Sequence, residues 1–455
     1  MKKIEKRTVV CLALTLVLLL GLGLFVLRFF LHGADWVSFA ANRHLYNSSG
    51  SLAVGRVLDR DGDVLSWVDE SGSRQYYSNP AVRRAVLHAV GDPSGAIGTG
   101  ALVAFADKLS GWNLLTGADD PFGQGSDLYL TLDARLNYIA CQAMNGKKGA
   151  VGVYNYQTGE ILCMVSAPTF DPADPPVIEE GDSRYEGVYL NRFLSGTFTP
   201  GSVFKTVTLT AAIENIPDLF SRSFTCTGST TVDGEEITCP FAHGDMDISS
   251  ALASSCNGTF AQLAAELGPD ILRRYVEKAG LLDSYSVDGI PTAKGSFDLT
   301  GASTGEIGWS GVGQYNDLVN PCAVMMWMGA IANQGRTAVP YLILRTEGGL
   351  PSLPHLTRRT GKLIDAGTAR TVGDLMANNV RQTYGSGNFP NMDICAKSGT
   401  AEVGGGKQPT ALFAGFLRNA DAPYAFVVVL EEGGSGGSAA SSIAAQVLDA
   451  LVNGY

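Results

Sequence analysis

The hydrophobic pattern begins with the longest apolar block in the chain. Val9 to Leu27 carries no charge and one hydroxyl residue, Thr15, and it is preceded by Lys2, Lys3, Lys6 and Arg7. Nineteen residues at a helical rise of about 1.5 Å each cover about 28 Å, close to the hydrocarbon core of a bilayer. The block predicts one membrane-crossing helix, and its basic flank predicts that residues beyond Arg28 lie outside. It is longer than a secretory apolar core, and no small-x-small cleavage site follows Phe29-Phe30-Leu31-His32, so an uncleaved anchor is preferred to a signal peptide. No later segment is long and apolar enough to span a membrane.

Downstream the pattern alternates between short strands and helix-like runs. Gly55 to Leu65 reads as strand, turn, strand; its carboxylates do not make a calcium loop, because Gly62 directly follows Asp61 and no Glu closes it. Leu128 to Leu132 predicts a strand, and Asp133 then caps a helix through Asn145. Ala150–Tyr154 and Glu160–Val165 predict a hairpin around Gln157-Thr158-Gly159. Phe413–Phe416 and Tyr424–Leu430 predict apolar strands, and Ser441–Leu451 a final helix. Strands near both ends with helices between them predict an α/β (α+β) unit whose sheet is closed by distant segments.

Composition narrows the function. The 455 residues carry 44 Asp and Glu against 33 Lys and Arg, a formal charge of -11, which excludes nucleic acid as a main partner. The eight Cys include no C-x-x-C pair and the five His no H-E-x-x-H, so the usual zinc patterns are missing, as is a P-loop. Cys226 and Cys239 flank a hairpin with its turn near Asp233-Gly234. A disulfide between them is one expectation and two free thiols the other.

Three short motifs could carry chemistry. In Thr199-Pro-Gly-Ser-Val-Phe-Lys-Thr206, Ser202 and Lys205 share one face of a helix start. A serine hydroxyl needs a base to become a nucleophile, and a lysine can be that base when burial lowers its pKa; Val203, Phe204 and Val207 can supply the dry wall. In Ser254-Ser-Cys-Asn257, Ser255 and Asn257 place a proton-relaying hydroxyl and a carboxamide two apart. Ser386-Gly-Asn388 fits the same pattern, but in a Gly-rich loop. Lys397-Ser-Gly-Thr400 offers an ammonium and two hydroxyls to a carboxylate, with Gly399 expected to let a substrate backbone approach. Alone, each motif reads equally as a helix cap, a surface charge or a turn. Gly433-Gly-Ser-Gly-Gly437 mimics an esterase elbow, but no apolar helix start follows, and a flexible loop is expected.

In this order the motifs match the S-x-x-K, S-x-N, K-[ST]-G set, and the chain resembles a class B penicillin-binding protein, a monofunctional peptidoglycan D,D-transpeptidase. Gly311-Val-Gly-Gln314, Asn320-Pro321, Ala332-Asn-Gln-Gly335 and His243-Gly244 fit the same family, whereas Ser398 replaces a commoner Thr and Leu412 a commoner Trp. The resemblance implies an antiparallel sheet sandwiched by helices. It divides the chain into a cytoplasmic tail and anchor (1–31), a small membrane-proximal pedestal (32–125) and a transpeptidase domain (126–455).

By the same resemblance Ser202 attacks the penultimate D-Ala of a stem peptide, Lys205 is its base and Ser255 relays the proton to the departing D-Ala. Asn257 positions Lys205 and substrate, and Lys397, Ser398 and Thr400 hold the terminal carboxylate. The backbone N–H groups of Ser202 and Thr400 form the oxyanion hole. No metal or organic cofactor is implied. The implied partners are stem peptides on a lipid-linked precursor, β-lactams that trap Ser202, and a SEDS-type glycan polymerase, because residues 32–125 leave no room for a glycosyltransferase. The implied location is the cell membrane, with the catalytic domain extracytoplasmic. A D,D-carboxypeptidase, a β-lactamase and a non-catalytic β-lactam-binding scaffold or sensor are the competing readings.

Overall fold

The computed structural model describes residues 2–37, 55–69, 71–109, 126–348 and 355–454. A first helix, Lys2–Val37, contains the stretch Lys6–Phe29, which is long and apolar enough to cross a membrane and is exposed along its length.

Two five-stranded sheets organise the remainder. The smaller follows the order Ile343–Glu347, Asp127–Leu130, Val57–Leu58, Val64–Val68, Arg74–Tyr76. Strands from both sides of the boundary expected at 125/126 therefore share one hydrogen-bonded sheet. Much of the expected pedestal, residues 38–54 and 110–125, lies outside the described residues. The Gly55–Leu65 carboxylates are structural. Asp59 Oδ1 accepts the N–H groups of Asp61 and Asp63 at 3.0 and 2.9 Å, and its Oδ2 accepts that of Ala134 at 3.2 Å.

The larger sheet is antiparallel throughout, in the order Ile394–Ala401, Thr410–Leu417, Tyr424–Leu430, Gly149–Asn155, Ile161–Ala167. Both faces are covered, which explains why the strands read as continuous apolar runs rather than alternating ones. Val427 and Val429 pack on the face shared with Trp327 and Met328, whereas Phe426 and Val428 pack on the face shared with Leu136, Ile443 and Val447. The α/β fold expected from the strand and helix pattern is the one observed.

Several elements start and stop where their local chemistry dictates. Asp133 accepts the Leu136 N–H at 2.9 Å and opens the helix Ala134–Met144, which ends at Asn145 in a left-handed conformation. The hairpin Ser229–Val232/Glu235–Thr238 turns at Asp233 and Gly234, both with positive φ. Cys226 and Cys239 are not bridged. Cys226 stands opposite Gly244 of another strand, and the Cys239 N–H donates to Gly228 O, so the two are not cross-strand partners.

Candidate active site

Ser202 sits in a single 3-10 turn, Gly201–Val203, immediately before the helix Lys205–Asn215. That helix is tied into the core on its inner side. Trp327 Nε1 donates to Thr206 Oγ1 at 2.9 Å and Thr208 Oγ1 donates to Gly311 O at 2.7 Å. Val203, Phe204 and Val207 are buried around it, the dry wall expected from the sequence. Gly201 has φ +52, and a side chain there would meet the Thr400 backbone at 3.0 to 3.2 Å. The Ser202 turn thus lies directly against the edge strand Ile394–Ala401.

Gly399 serves this same junction. A Cβ on it would lie 2.6 Å from Pro200 O and 3.3 Å from Val203 N. The expectation that Gly399 makes room for a substrate backbone is corrected: its open side faces the Ser202 turn.

Ser255 and Asn257 lie where the helix Ile248–Ala253 gives way to the helix Asn257–Lys278. Ser255 has φ +55, a left-handed conformation that costs a non-glycine residue energy and is held by its surroundings. Its carbonyl accepts Lys205 Nζ at 2.6 Å and its Oγ accepts the same Nζ at 3.2 Å. The third direction of Lys205 Nζ goes to Asn257 Oδ1 at 2.8 Å, and Asn257 Nδ2 donates to Thr238 O at 2.8 Å. Among the described residues no hydrogen bond joins Ser202 Oγ to Lys205 Nζ. The fold connects the S-x-x-K lysine to the S-x-N motif first.

Lys397 reaches the same point from the sheet. Its Nζ donates to Ser255 Oγ at 2.9 Å and to Ser398 O at 3.0 Å. Both lysines are fully buried, and among the described residues neither has a carboxylate partner. Burial first, and then the neighbouring Lys397 charge, hold Lys205 well below its ordinary pKa. Burial lowers Lys397 to about 7. Ser398 and Thr400 lie on the opposite face of the strand from Lys397 and line a cleft of about 790 Å³ with Ser202, Ser255 and Asn257. Trp309, Gln314 and Glu402 also stand on its walls.

Ser386 is exposed in a separate turn, away from this cleft's lining. Two contributors escaped sequence reasoning. Tyr384 OH accepts the Ser398 N–H and donates to Ser398 Oγ, both at 2.8 Å. The Gly433–Gly437 segment is not a free loop: the Gly436 N–H donates to Thr400 Oγ1 at 3.2 Å, so it buttresses the lysine strand. Neither follows a recognisable pattern, since each contact joins residues whose partners are set by the folded sheet.

A family model described as "Penicillin binding protein transpeptidase domain" matches residues 149–449. The chain belongs to the penicillin-binding protein transpeptidase family. Among curated relatives this penicillin-binding protein is 28% identical over 376 residues to the peptidoglycan D,D-transpeptidase PbpA of Mycobacterium tuberculosis, covering 75% of each chain. It is 27% identical over 372 residues to the peptidoglycan D,D-transpeptidase MrdA of Acinetobacter baumannii, covering 73% of this chain and 55% of that one. Its fold matches penicillin-binding protein A of M. tuberculosis, solved as a ceftriaxone acyl-enzyme complex, with a TM-score of 0.78 at 22% identity over 88% of this chain and 99% of that one. It also matches the D,D-transpeptidase domain of a peptidoglycan glycosyltransferase from Eggerthella lenta, with a TM-score of 0.73 at 24% identity over 88% and 98% of the two chains.

Proposed function

We propose that Ser202, Lys205, Ser255, Asn257, Lys397, Ser398 and Thr400 carry out acyl transfer on peptidoglycan stem peptides. The protein is a serine-type D,D-transpeptidase that β-lactams acylate, in keeping with its family and its named relatives. The observation that carries the residue assignment is the convergence of Lys205 and Lys397 on Ser255 Oγ, at the rim of the cleft that Ser202 lines.

The steps follow from that arrangement. A neutral Lys205 takes the Ser202 proton as Oγ bonds to the penultimate D-Ala carbonyl carbon. Burial keeps Lys205 neutral in a useful fraction of molecules, because no solvent shell stabilises its charged form. The backbone N–H groups of Ser202 and Thr400 hold the oxyanion; the packing of Gly201 on Thr400 brings these two stretches of backbone side by side. Ser255, accepting hydrogen bonds from both lysines, is left with its own proton to pass on. That proton reaches the amine of the terminal D-Ala as the C–N bond breaks, and Lys205 returns to Ser255 the proton it took from Ser202. An amine of a neighbouring stem peptide then attacks the ester carbonyl and gives up a proton to the neutral Lys205, and Lys205 hands a proton to Ser202 Oγ as the ester C–O bond breaks. Lys397, Ser398 and Thr400 receive the substrate carboxylate, and Tyr384 aims Ser398.

The helix Lys2–Val37 anchors the protein, with its basic end cytoplasmic and the cleft outside, where lipid-linked precursor and nascent glycan are found. A SEDS-type membrane polymerase supplies the glycan. The deciding measurement is intact mass of the full chain after penicillin, followed over hours. A persistent adduct on Ser202 is expected; rapid release would make the chain a β-lactamase, and release of free D-Ala from stem pentapeptide without cross-linking would make it a carboxypeptidase.

A further inference from the structure

A second cavity, of about 570 Å³, adjoins the cleft and shares Ser254, Ser255 and Ser398 with it. Beyond that shared boundary it is walled by Phe241 and Asp245 from one segment and by Gln382 and Thr383 from another. Ser202, Asn257, Thr400 and Glu402 line the cleft and not the cavity. The nucleophile and the oxyanion strand thus stand on one side of the boundary, and the cavity opens on the other.

The boundary residues indicate what the cavity receives. In the steps given above, Ser255 hands a proton to the departing amine and Ser398 helps to hold the terminal carboxylate, so both face the half of the substrate that leaves. Aminolysis of the Ser202 ester is acylation run backwards with a different amine, and the entering amine must take the place that the leaving one vacated. It therefore arrives past Ser255 and Ser398. The cavity is far larger than one departing amino acid requires, since sites of about 300–1,000 Å³ hold drug-sized molecules.

Its walls suit an amine on an aliphatic stem. Asp245 is the one Asp, Glu, Lys or Arg among the described residues that line it. It is exposed on the strand Gly244–Met246, and its one side-chain partner among the described residues is Thr225, whose Oγ1 donates to Asp245 Oδ1 at 2.5 Å. Phe241 is 64% exposed, with its ring held edge-on to His243 at a centroid distance of 4.7 Å. A carboxylate free of any cation attracts an ammonium, and an exposed ring adds apolar and cation–π contact.

We propose that this cavity is the acceptor subsite, which takes the amine-bearing side chain of the neighbouring stem peptide and recognises it through Asp245 and Phe241. The inference rests on the transpeptidase reading and adds to it where the second substrate binds. The acceptor enters as an ammonium and releases one proton to solvent as it leaves Asp245. Its second proton goes to Lys205 as the N–C bond forms and the ester C–O bond to Ser202 breaks. Donor and acceptor thus occupy separate spaces that meet at Ser255 and Ser398.

The test uses full-length protein in detergent, an N-acyl-D-Ala-D-lactate donor, and N-acetylated stem tripeptides ending in L-Lys or meso-diaminopimelate as acceptors. Cross-linked product is expected to saturate with one of these tripeptides, whereas hydroxylamine, too small to need the cavity, should react in linear proportion to its concentration. Asp245→Asn keeps an acceptor for Thr225 and removes the charge, and Phe241→Ala removes an exposed ring. Each should raise the half-saturating tripeptide concentration about fivefold, the scale of one solvent-accessible charge contact. Acylation by fluorescent penicillin and reaction with hydroxylamine should stay within about twofold of the wild type in both variants. Cross-linking that is linear in both tripeptides in the wild type overturns the subsite, with no variant needed. Half-saturation unchanged in both variants also overturns it, and so does penicillin acylation that falls in step with cross-linking, which would give the cavity to the donor. A wild type that penicillin does not acylate overturns the transpeptidase reading itself.

Discussion

Lys205 and Lys397 donate to one atom: Ser255 Oγ accepts the first Nζ at 3.2 Å and the second at 2.9 Å, and neither amine touches solvent. Two buried amines on one hydroxyl cannot both be comfortably charged. One of them must be neutral to act as base, and the other must be charged to receive a carboxylate. The second-order rate of acylation should therefore be bell-shaped in pH. The acid limb comes from protonation of Lys205, whose pKa is lowered. The alkaline limb comes from loss of the Lys397 proton, beginning near its value of about 7. Lys397→Arg should move the alkaline limb upward by at least about a unit, because guanidinium keeps its proton. A profile with an unmoved alkaline limb in this variant would assign that limb to another group.

The same burial costs stability. Lys397 has an ordinary value of 10.5 in the unfolded chain and about 7 in the folded one. Between these values the unfolded state binds the extra proton, so stability rises with pH across that window and the full benefit is present only above it. The difference is worth roughly 5 kcal/mol. Lys397→Met keeps the apolar stem and removes the ammonium. Its melting temperature should exceed that of the wild type by a margin that grows as pH falls from about 10 to about 7 and then levels off. Scanning calorimetry at several pH values tests this; a margin that is flat across the window contradicts it.

Ser202→Ala should abolish labelling by fluorescent penicillin while leaving the fold intact, with a loss on the order of a millionfold in rate. The two S-x-N candidates separate in the same assay. Ser255→Ala should lose acylation, because two lysine amines then lack their shared acceptor. Ser386→Ala should label like the wild type, since Ser386 is solvent-exposed and lines no part of the cleft. Equal losses in both would undo the assignment of Ser255.

Much of this site was readable wherever the signal is local. Asp133, Asn145 and the Asp233-Gly234 turn announce their elements through hydrogen bonds and backbone angles made within a few residues. Ser202 and Lys205 were readable because a helix start fixes their separation. The unread parts depend on residues brought together across the chain. Tyr384 meets Ser398 only because a helix end packs under the edge strand, and Gly149–Asn155 pairs with Tyr424–Leu430 across most of the catalytic domain. Cys226 and Cys239 were noticed as a pair. Their actual neighbours, His243 and Cys256, emerge only when two small ribbons fold onto the Asn257–Lys278 helix.

Gly399 offers the sharpest test of the contact between the nucleophile's turn and the edge strand. An alanine there places its Cβ 2.6 Å from Pro200 O, and both that carbonyl and Val203 belong to the turn that presents Ser202. The contact is with backbone, so no side-chain rotation relieves it. Either the strand or the turn must move by several tenths of an ångström. Each route widens the gap between Ser202 and Thr400 and misplaces the two oxyanion donors, and loss of one such donor costs about 100- to 1,000-fold in rate. Gly399→Ala should therefore acylate at least about a hundredfold more slowly than the wild type. Gly387→Ala is the matched control, because nothing lies within 4 Å of its added methyl. Acylation kinetics on the two variants, alongside their melting temperatures, distinguish a displaced oxyanion site from general unfolding: a slow Gly399→Ala enzyme that melts near the wild type identifies displacement, whereas wild-type kinetics in that variant would separate the turn from the strand.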